Sequence, residues 1–116
     1  MDNIGKELIQ LFKLHRNLLS VRLAEIGLFT GQEGLLYHLS ITDGQTMSEI
    51  VEKMKIQHAT LFTMVERMTK NNLITKSKHE TDKRASRIFL TKKGRGKVSE
   101  LSTIWQDIEK QLLKGF

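Results

Sequence analysis

The side chains that could do chemistry in this sequence are mostly cationic, and they are unevenly distributed along the chain. Residues 53–97 contain 13 lysines and arginines against 3 acidic residues, a net charge of +10. The rest of the chain has 6 basic and 10 acidic residues, a net charge of −4. A basic segment flanked by acidic segments is typical of a patch that binds a polyanion, and nucleic acid is the first candidate.

Other reactive groups are few. The chain has no cysteine, which excludes disulfides, zinc fingers, iron–sulfur clusters and thiol chemistry. Its histidines form no i,i+4 pair and no HExxH motif, so we expect neither a metal nor a cofactor. The sequence shows no nucleophile–base set and no paired carboxylates, and we expect no enzyme activity.

The length and composition predict one small globular domain. A chain of 116 residues with 39% apolar and 28% charged residues can bury a core, and this composition argues against disorder. No apolar run approaches the ~20 residues that a membrane span needs. The N-terminus shows no basic segment followed by an apolar stretch. We therefore expect no membrane partner and a cytoplasmic location.

Hydrophobic periodicity predicts four helices before residue 73. They run over residues 4–26, from about 31 to 40, from about 46 to 54, and from about 58 to 71. Gly27 is placed to terminate the first helix. The capping-box patterns at 30–33 and 46–49, each a threonine followed three residues later by a glutamate, predict the starts of the second and third helices. The segment 55–58 is a brief turn between the third and fourth.

After residue 72 the pattern changes from helical to extended. Two strand-like segments, 73–78 and 87–90, are separated by a polar and charged stretch, 79–86, which predicts a hairpin with a long loop. Thr91 then caps a last helix. The apolar residues of this helix form a narrow seam suited to packing against another helix: Val98, Leu101, Trp105, Ile108 and Leu112.

This order of elements predicts a mainly α fold with a small β-hairpin wing, a winged helix-turn-helix with long N- and C-terminal helices. In such a fold the second helix of the pair fits the major groove of DNA and presents its exposed residues to base edges. The basic hairpin loop can reach phosphates or the adjacent minor groove, where arginine is favoured.

Residues 82–94, DKRASRIFLTKKG, contain an aspartate, one further residue, an arginine, a strand-like segment, and then Leu-Thr-x-Lys-Gly. In this pattern the sequence resembles the MarR family of bacterial transcription regulators. Upstream, residues 59–63 follow the family's recognition helix. Further positions on that helix, at its exit into the wing and on the second helix also match: Phe29, Thr30, Leu35, Leu39, Val65, Met68, Asn72, Leu73 and Ile74.

The resemblance implies a DNA-binding site on the recognition helix and the wing. Arg84 would enter the minor groove from the wing tip, beside Lys83, and Asp82 would orient the wing. Lys78 and Arg87 are candidates for phosphate contacts. The recognition-helix positions that would meet DNA are Gln57, His58, Ala59, Thr60, Phe62 and Thr63.

Two positions depart from the family pattern. Ala59 replaces a small polar residue, and Phe62 replaces a residue with a hydroxyl or basic group. Phe62 could touch a thymine methyl group or could equally pack against the protein. In addition, Lys55 occupies a turn position where the family frequently has glycine.

The resemblance also implies an assembly and a mode of regulation. We expect residues 1–116 to form a single winged-helix DNA-binding domain, with the helices in 1–26 and 92–116 contributing to a homodimer. The partner would be a double-stranded DNA operator, and the protein a repressor whose affinity a small aromatic effector reduces, although no residue marks an effector site. The alternative is a winged-helix adaptor that binds protein and has no specific DNA readout. Duplex binding measured against salt discriminates the two.

Overall fold

The computed structural model describes residues 2–77 and 86–114, which form five helices and three short strands. The elements are α1 (Asp2–Glu25), α2 (Gln32–Ile41), β1 (Gln45–Thr46), α3 (Met47–Met54), α4 (His58–Lys70), β2 (Ile74–Ser77), β3 (Arg87–Leu90) and α5 (Lys92–Lys114). This arrangement confirms the predicted fold class, since α3 and α4 form a helix-turn-helix and β2 and β3 the strands of a wing.

The sheet contains one strand that the sequence did not predict. Its order is β1-β3-β2, with both pairs antiparallel. In the wing, Ile74 lies opposite Leu90, and Ser77 lies opposite Arg87. The two-residue strand β1 adds Gln45 opposite Ile88. Strand β1 therefore joins the start of the helix-turn-helix to the base of the wing.

The chain divides into two compact units. One consists of Met1–Thr30 with Ser99–Phe116, and the other of Gly31–Val98. The buried apolar residues of the first unit are Leu19, Leu23, Leu28, Leu101, Ile104 and Ile108. Those of the second unit are Leu35, Leu36, Leu39, Ile50, Leu61, Val65, Met68, Leu73, Ile74, Ile88 and Leu90. Each unit thus has its own apolar core.

Three of the four predicted helix boundaries have the expected chemistry. Gly27 adopts a φ of 78°, and Leu28 donates its N–H to the carbonyl of Leu23, which is the Schellman ending of a helix. Thr46 accepts a hydrogen bond from the Glu49 amide, and Thr91 accepts one from the Gly94 amide. These hydroxyls satisfy amides that have no partner within the helix.

The capping box predicted at 30–33 is wrong, because the N-cap of α2 lies one residue later than Thr30. The residue that precedes α2 is Gly31, with a φ of 104° and no side-chain cap. The carboxylate of Glu33 accepts the Gly31 amide at 2.7 Å, so only the glutamate half of the pattern operates. A glycine reaches this positive φ without the steric cost that threonine would incur, and the helix therefore starts one residue later.

The seam on α5 also differs from the prediction. Its buried residues are Leu101, Ile104 and Ile108, whereas Trp105 is half-buried. Ile104 and Ile108 are four residues apart and so share a face of the helix. Of the five predicted seam residues, Leu101 and Ile108 are buried, whereas Val98, Trp105 and Leu112 are half-buried.

No helix among residues 2–77 and 86–114 is both long and apolar enough to cross a membrane.

Candidate nucleic-acid interface

Helix α4 has one buried and one exposed face. Leu61, Val65 and Met68 are fully buried, and their spacing of three and four residues places them on one face of the helix. The predicted DNA-contacting positions are all exposed: Gln57, His58, Ala59, Thr60, Phe62 and Thr63. The apolar stripe thus anchors α4 on the core and leaves the predicted reading residues at the surface.

The first turn of α4 carries no side-chain cap. Gln57 precedes the helix with extended backbone angles and makes no capping hydrogen bond, although its carbonyl accepts the Leu61 amide at 3.1 Å. Helix N-termini of this kind present N–H groups and the positive end of the helix dipole. The N–H groups of this first turn are placed to donate hydrogen bonds to a phosphate oxygen.

Two exposed positions of α4 carry small side chains. Ala59 and Thr63 are exposed and lie four residues apart on the same face. The Thr63 hydroxyl donates to the Ala59 carbonyl at 3.2 Å, which commits its polar hydrogen to the helix itself. Ala59 and Thr63 therefore present methyl groups at this surface.

Phe62 stands beside these small residues and is held from one side. Its side chain is 53% exposed. The Lys76 ammonium of β2 lies 5.8 Å from the ring centroid, within the range of a cation–π contact. Lys76 in turn pairs with Glu66 of α4 at 3.1 Å. Lys76 thus lies over one face of the Phe62 ring, and about half of the residue's surface stays open.

Only one of the predicted wing residues lies within the described part of the chain. Arg87 on β3 donates to the carbonyl of Gly44 at 2.8 Å and lies 4.0 Å from a carboxylate oxygen of Glu49. It therefore ties β3 to the segment before β1 and to α3. The predicted positions Lys78, Asp82, Lys83 and Arg84 lie outside the described residues.

Asp43 holds the base of the wing, a role that the sequence did not reveal. One of its carboxylate oxygens accepts the Leu90 amide at 2.9 Å, and the other lies 3.2 Å from the Arg95 guanidinium. In sequence, an Asp-Gly pair such as the one at 43–44 indicates only a turn. Its partners lie about 50 residues away in sequence, so no local pattern could indicate this bond.

The Leu-Thr-x-Lys-Gly motif joins the wing to the end of α4. Thr91 donates its hydroxyl to the Asn72 carbonyl at 2.6 Å, and Lys93 donates to the Asn71 carbonyl at 3.0 Å. Gly94 is buried, and a Cβ atom there would collide with the carbonyl oxygen of Leu73. The glycine of the motif is therefore required by a close backbone approach.

Eight of the 13 cations of the basic segment can be divided into two groups. Arg87, Lys76, Lys93 and Arg95 are engaged within the protein, as described above. In contrast, four exposed lysines make no ion pair with any described residue: Lys53, Lys55, Lys70 and Lys92. None of these four has an ionic partner among residues 2–77 and 86–114.

Other kinds of site find little support. Within residues 2–77 and 86–114, no three His, Asp or Glu side chains lie together in a way that could hold a metal ion. In the first unit, an open cleft of about 400 Å³ at the end of α1 is lined by Ser20, Ala24, Gly27, Leu28, Phe29 and Thr30.

Comparisons with known proteins agree with this architecture. Residues 32–86, which hold the helix-turn-helix and the first part of the wing, match the model of the MarR family. A MarR transcriptional regulator from Methanosarcina mazei Go1 superposes with a TM-score of 0.84 at 22% identity, covering 100% of this chain and 84% of the other.

Two further structures share the fold. BpsR of Bordetella bronchiseptica, whose DNA binding is regulated by 6-hydroxynicotinic acid, gives a TM-score of 0.83 at 22% identity, covering 98% of this chain and 86% of the other. A mutant of MarR from E. coli complexed with operator DNA gives 0.83 at 18% identity, covering 98% and 82%.

Proposed function

We propose that this chain, whose residues 32–86 match the model of the MarR family, is a transcriptional repressor that binds double-stranded DNA sequence-specifically. In this proposal α4 enters the major groove and contacts base edges through the residues from Gln57 to Thr63. The single observation that carries it is the exposure of this whole set opposite a fully buried stripe, in the segment of +10 net charge.

The wing supplies the second part of the proposed interface. The segment that joins β2 and β3 carries Lys83 and Arg84, which we assign to the minor groove, and Asp82, which orients them. Lys78 and Arg87 contribute phosphate contacts in the same proposal. The four exposed lysines without an ionic partner among the described residues support this assignment, because a duplex would supply a counter-charge for them.

We further propose a homodimer formed by the helices in 1–26 and 92–116. The N-terminal half of α1 is exposed along almost its whole length, and it carries large apolar side chains: Ile4, Leu8, Ile9 and Phe12. Such a helix needs an apolar neighbour, and a second copy of the same helix can supply one. A dimer would place two copies of α4 against two half-sites.

We also propose that a small aromatic effector regulates the binding of DNA. The regulation of BpsR by 6-hydroxynicotinic acid concerns that protein, and its fold is the one found here. An effector that binds the DNA-free geometry more tightly than the DNA-bound geometry lowers the affinity for the operator.

The experiment that tests the function is duplex binding as a function of salt. Fluorescence anisotropy with the DNA upstream of the protein's own gene should give an affinity that falls with a log–log slope of roughly −5, for about six phosphate contacts. A scrambled duplex of equal length measures the non-specific component. Absent or salt-insensitive binding would refute the proposal and favour the adaptor function.

A further inference from the structure

The reading face of α4 lacks the groups that usually recognise guanine. Between Gln57 and Thr63 the chain has no lysine or arginine, which are the side chains that pair with the guanine edge in the major groove. The next cation on the helix is Arg67, more than one turn further along. Any base readout by the first two turns must therefore rest largely on other chemistry.

Besides the polar side chains of Gln57, His58 and Thr60, this face presents apolar groups. Ala59 contributes a methyl group, and Thr63 contributes another because its hydroxyl donates to the Ala59 carbonyl. Phe62 contributes the open half of its ring, with a side chain that is 53% exposed. Alanine, the threonine methyl and phenylalanine are the side chains that contact the C5-methyl group of thymine.

One charged neighbour, Lys76, lies against the ring of Phe62. Lys76 lies 5.8 Å from the centroid of the ring and is itself paired with Glu66 at 3.1 Å. These contacts limit the motion of the ring without covering it. The Phe62 ring therefore loses less conformational entropy on binding DNA than a freely rotating aromatic side chain would.

We infer that Ala59, Phe62 and Thr63 form a methyl-reading surface that selects thymine at the operator positions they face. This inference rests on the proposed function, because it requires α4 to enter the major groove. It assigns Phe62 as the main specificity-determining residue of the helix. The occupant is a duplex rather than another apolar surface because the surrounding segment carries a net charge of +10.

The test removes the methyl groups from the DNA and nothing else. A pool of short random duplexes is selected for binding to the full chain and then amplified once with dTTP and once with dUTP. The two products differ only in the C5-methyl groups. We expect the thymine pool to bind more tightly by about fourfold for each contacted methyl, the factor that corresponds to burying one such group.

Variants assign the effect to the three residues. Phe62→Ala should remove most of the preference for the thymine pool, whereas Phe62→Leu should keep part of it. Thr63→Ser deletes only a methyl group and keeps the hydroxyl, so it should reduce the preference by about fourfold or less. Tyr37→Ala is the matched control, because it removes an exposed aromatic side chain from α2. Circular dichroism checks that each variant is folded.

The outcomes separate this inference from the proposed function. Salt-dependent binding with equal affinity for the two pools overturns the methyl-reading surface and leaves the DNA-binding function intact. A preference that Phe62→Ala retains overturns the assignment to this face. If random duplexes yield no bound pool, the proposed function fails and the inference fails with it.

Discussion

The carboxylate of Asp43 accepts the backbone amide of Leu90 at 2.9 Å and also pairs with Arg95 at 3.2 Å. Asp43→Ala should lower the free energy of unfolding by about 1–3 kcal/mol, because the amide of the buried Leu90 loses its acceptor. Asp43→Asn keeps an acceptor oxygen and should cost less. Urea denaturation followed by circular dichroism measures both, and equal losses for the two variants would contradict the assigned role of the amide bond.

Gly94 and Gly96 lie two residues apart near the start of α5 and should respond in opposite ways to the same change. A Cβ atom at Gly94 meets the Leu73 carbonyl, whereas nothing lies within 4 Å of a Cβ at Gly96. Gly94→Ala should destabilise the protein by about 1–3 kcal/mol through overpacking. Gly96→Ala should stabilise it by up to about 1 kcal/mol through helix propensity. Thermal denaturation of the two variants measures both changes. A Gly94→Ala variant as stable as the wild type would show that the close approach of Leu73 does not require glycine at this position.

The turn of the helix-turn-helix places Lys55 in the left-handed region, at a φ of 53°. This conformation costs a residue with a Cβ atom roughly 1 kcal/mol, and glycine avoids that cost. Lys55→Gly should therefore raise the stability by about 0.5–1 kcal/mol. Lys55→Ala removes the same charge but keeps the Cβ, so it should show no such gain. A gain in both variants would indicate that the charge, and not the backbone angle, is responsible.

The sequence predicted the elements whose signals are local. The spacing of Leu61, Val65 and Met68 gave the buried face of α4, and Thr46 and Thr91 gave the starts of α3 and α5. The family positions of the Leu-Thr-x-Lys-Gly motif were also visible, but the reason for Gly94 was not. That reason is a contact with Leu73, which is distant in sequence.

The features that the sequence missed depend on contacts between distant segments. Strand β1 contains only Gln45 and Thr46, too few residues for an alternating pattern, and it exists because β3 pairs with it. Gln45 is buried and hydrogen-bonded to His38 at 2.9 Å, which a polar residue in a turn region does not predict. The sequence likewise left open whether Phe62 packs against the protein, and its contact with Lys76 of β2 became evident only in the structure.

If α1 contributes to the proposed dimer, a charged residue introduced on its exposed apolar side should weaken association and lower the mass of the particle in solution. Phe12 is 60% exposed, so Phe12→Asp should leave the fold intact but weaken association. Sedimentation velocity should show the wild type as a dimer and the variant shifted toward the monomer. Ile41→Asp, an equally exposed apolar position on α2, serves as the control and should remain dimeric. A monomeric wild type at all concentrations would remove the dimer from the proposal.

The assignment of Arg84 to the minor groove predicts a specific change in salt dependence. Arg84→Ala should weaken duplex binding and reduce the magnitude of the log–log salt slope by about 1, because one cation no longer displaces counterions. Lys110→Ala removes the same charge from an exposed position on α5 outside the basic segment, so it should alter neither quantity. Anisotropy titrations at several salt concentrations provide both numbers. An unchanged affinity in Arg84→Ala would exclude the wing tip from DNA recognition and leave α4 as the principal contact.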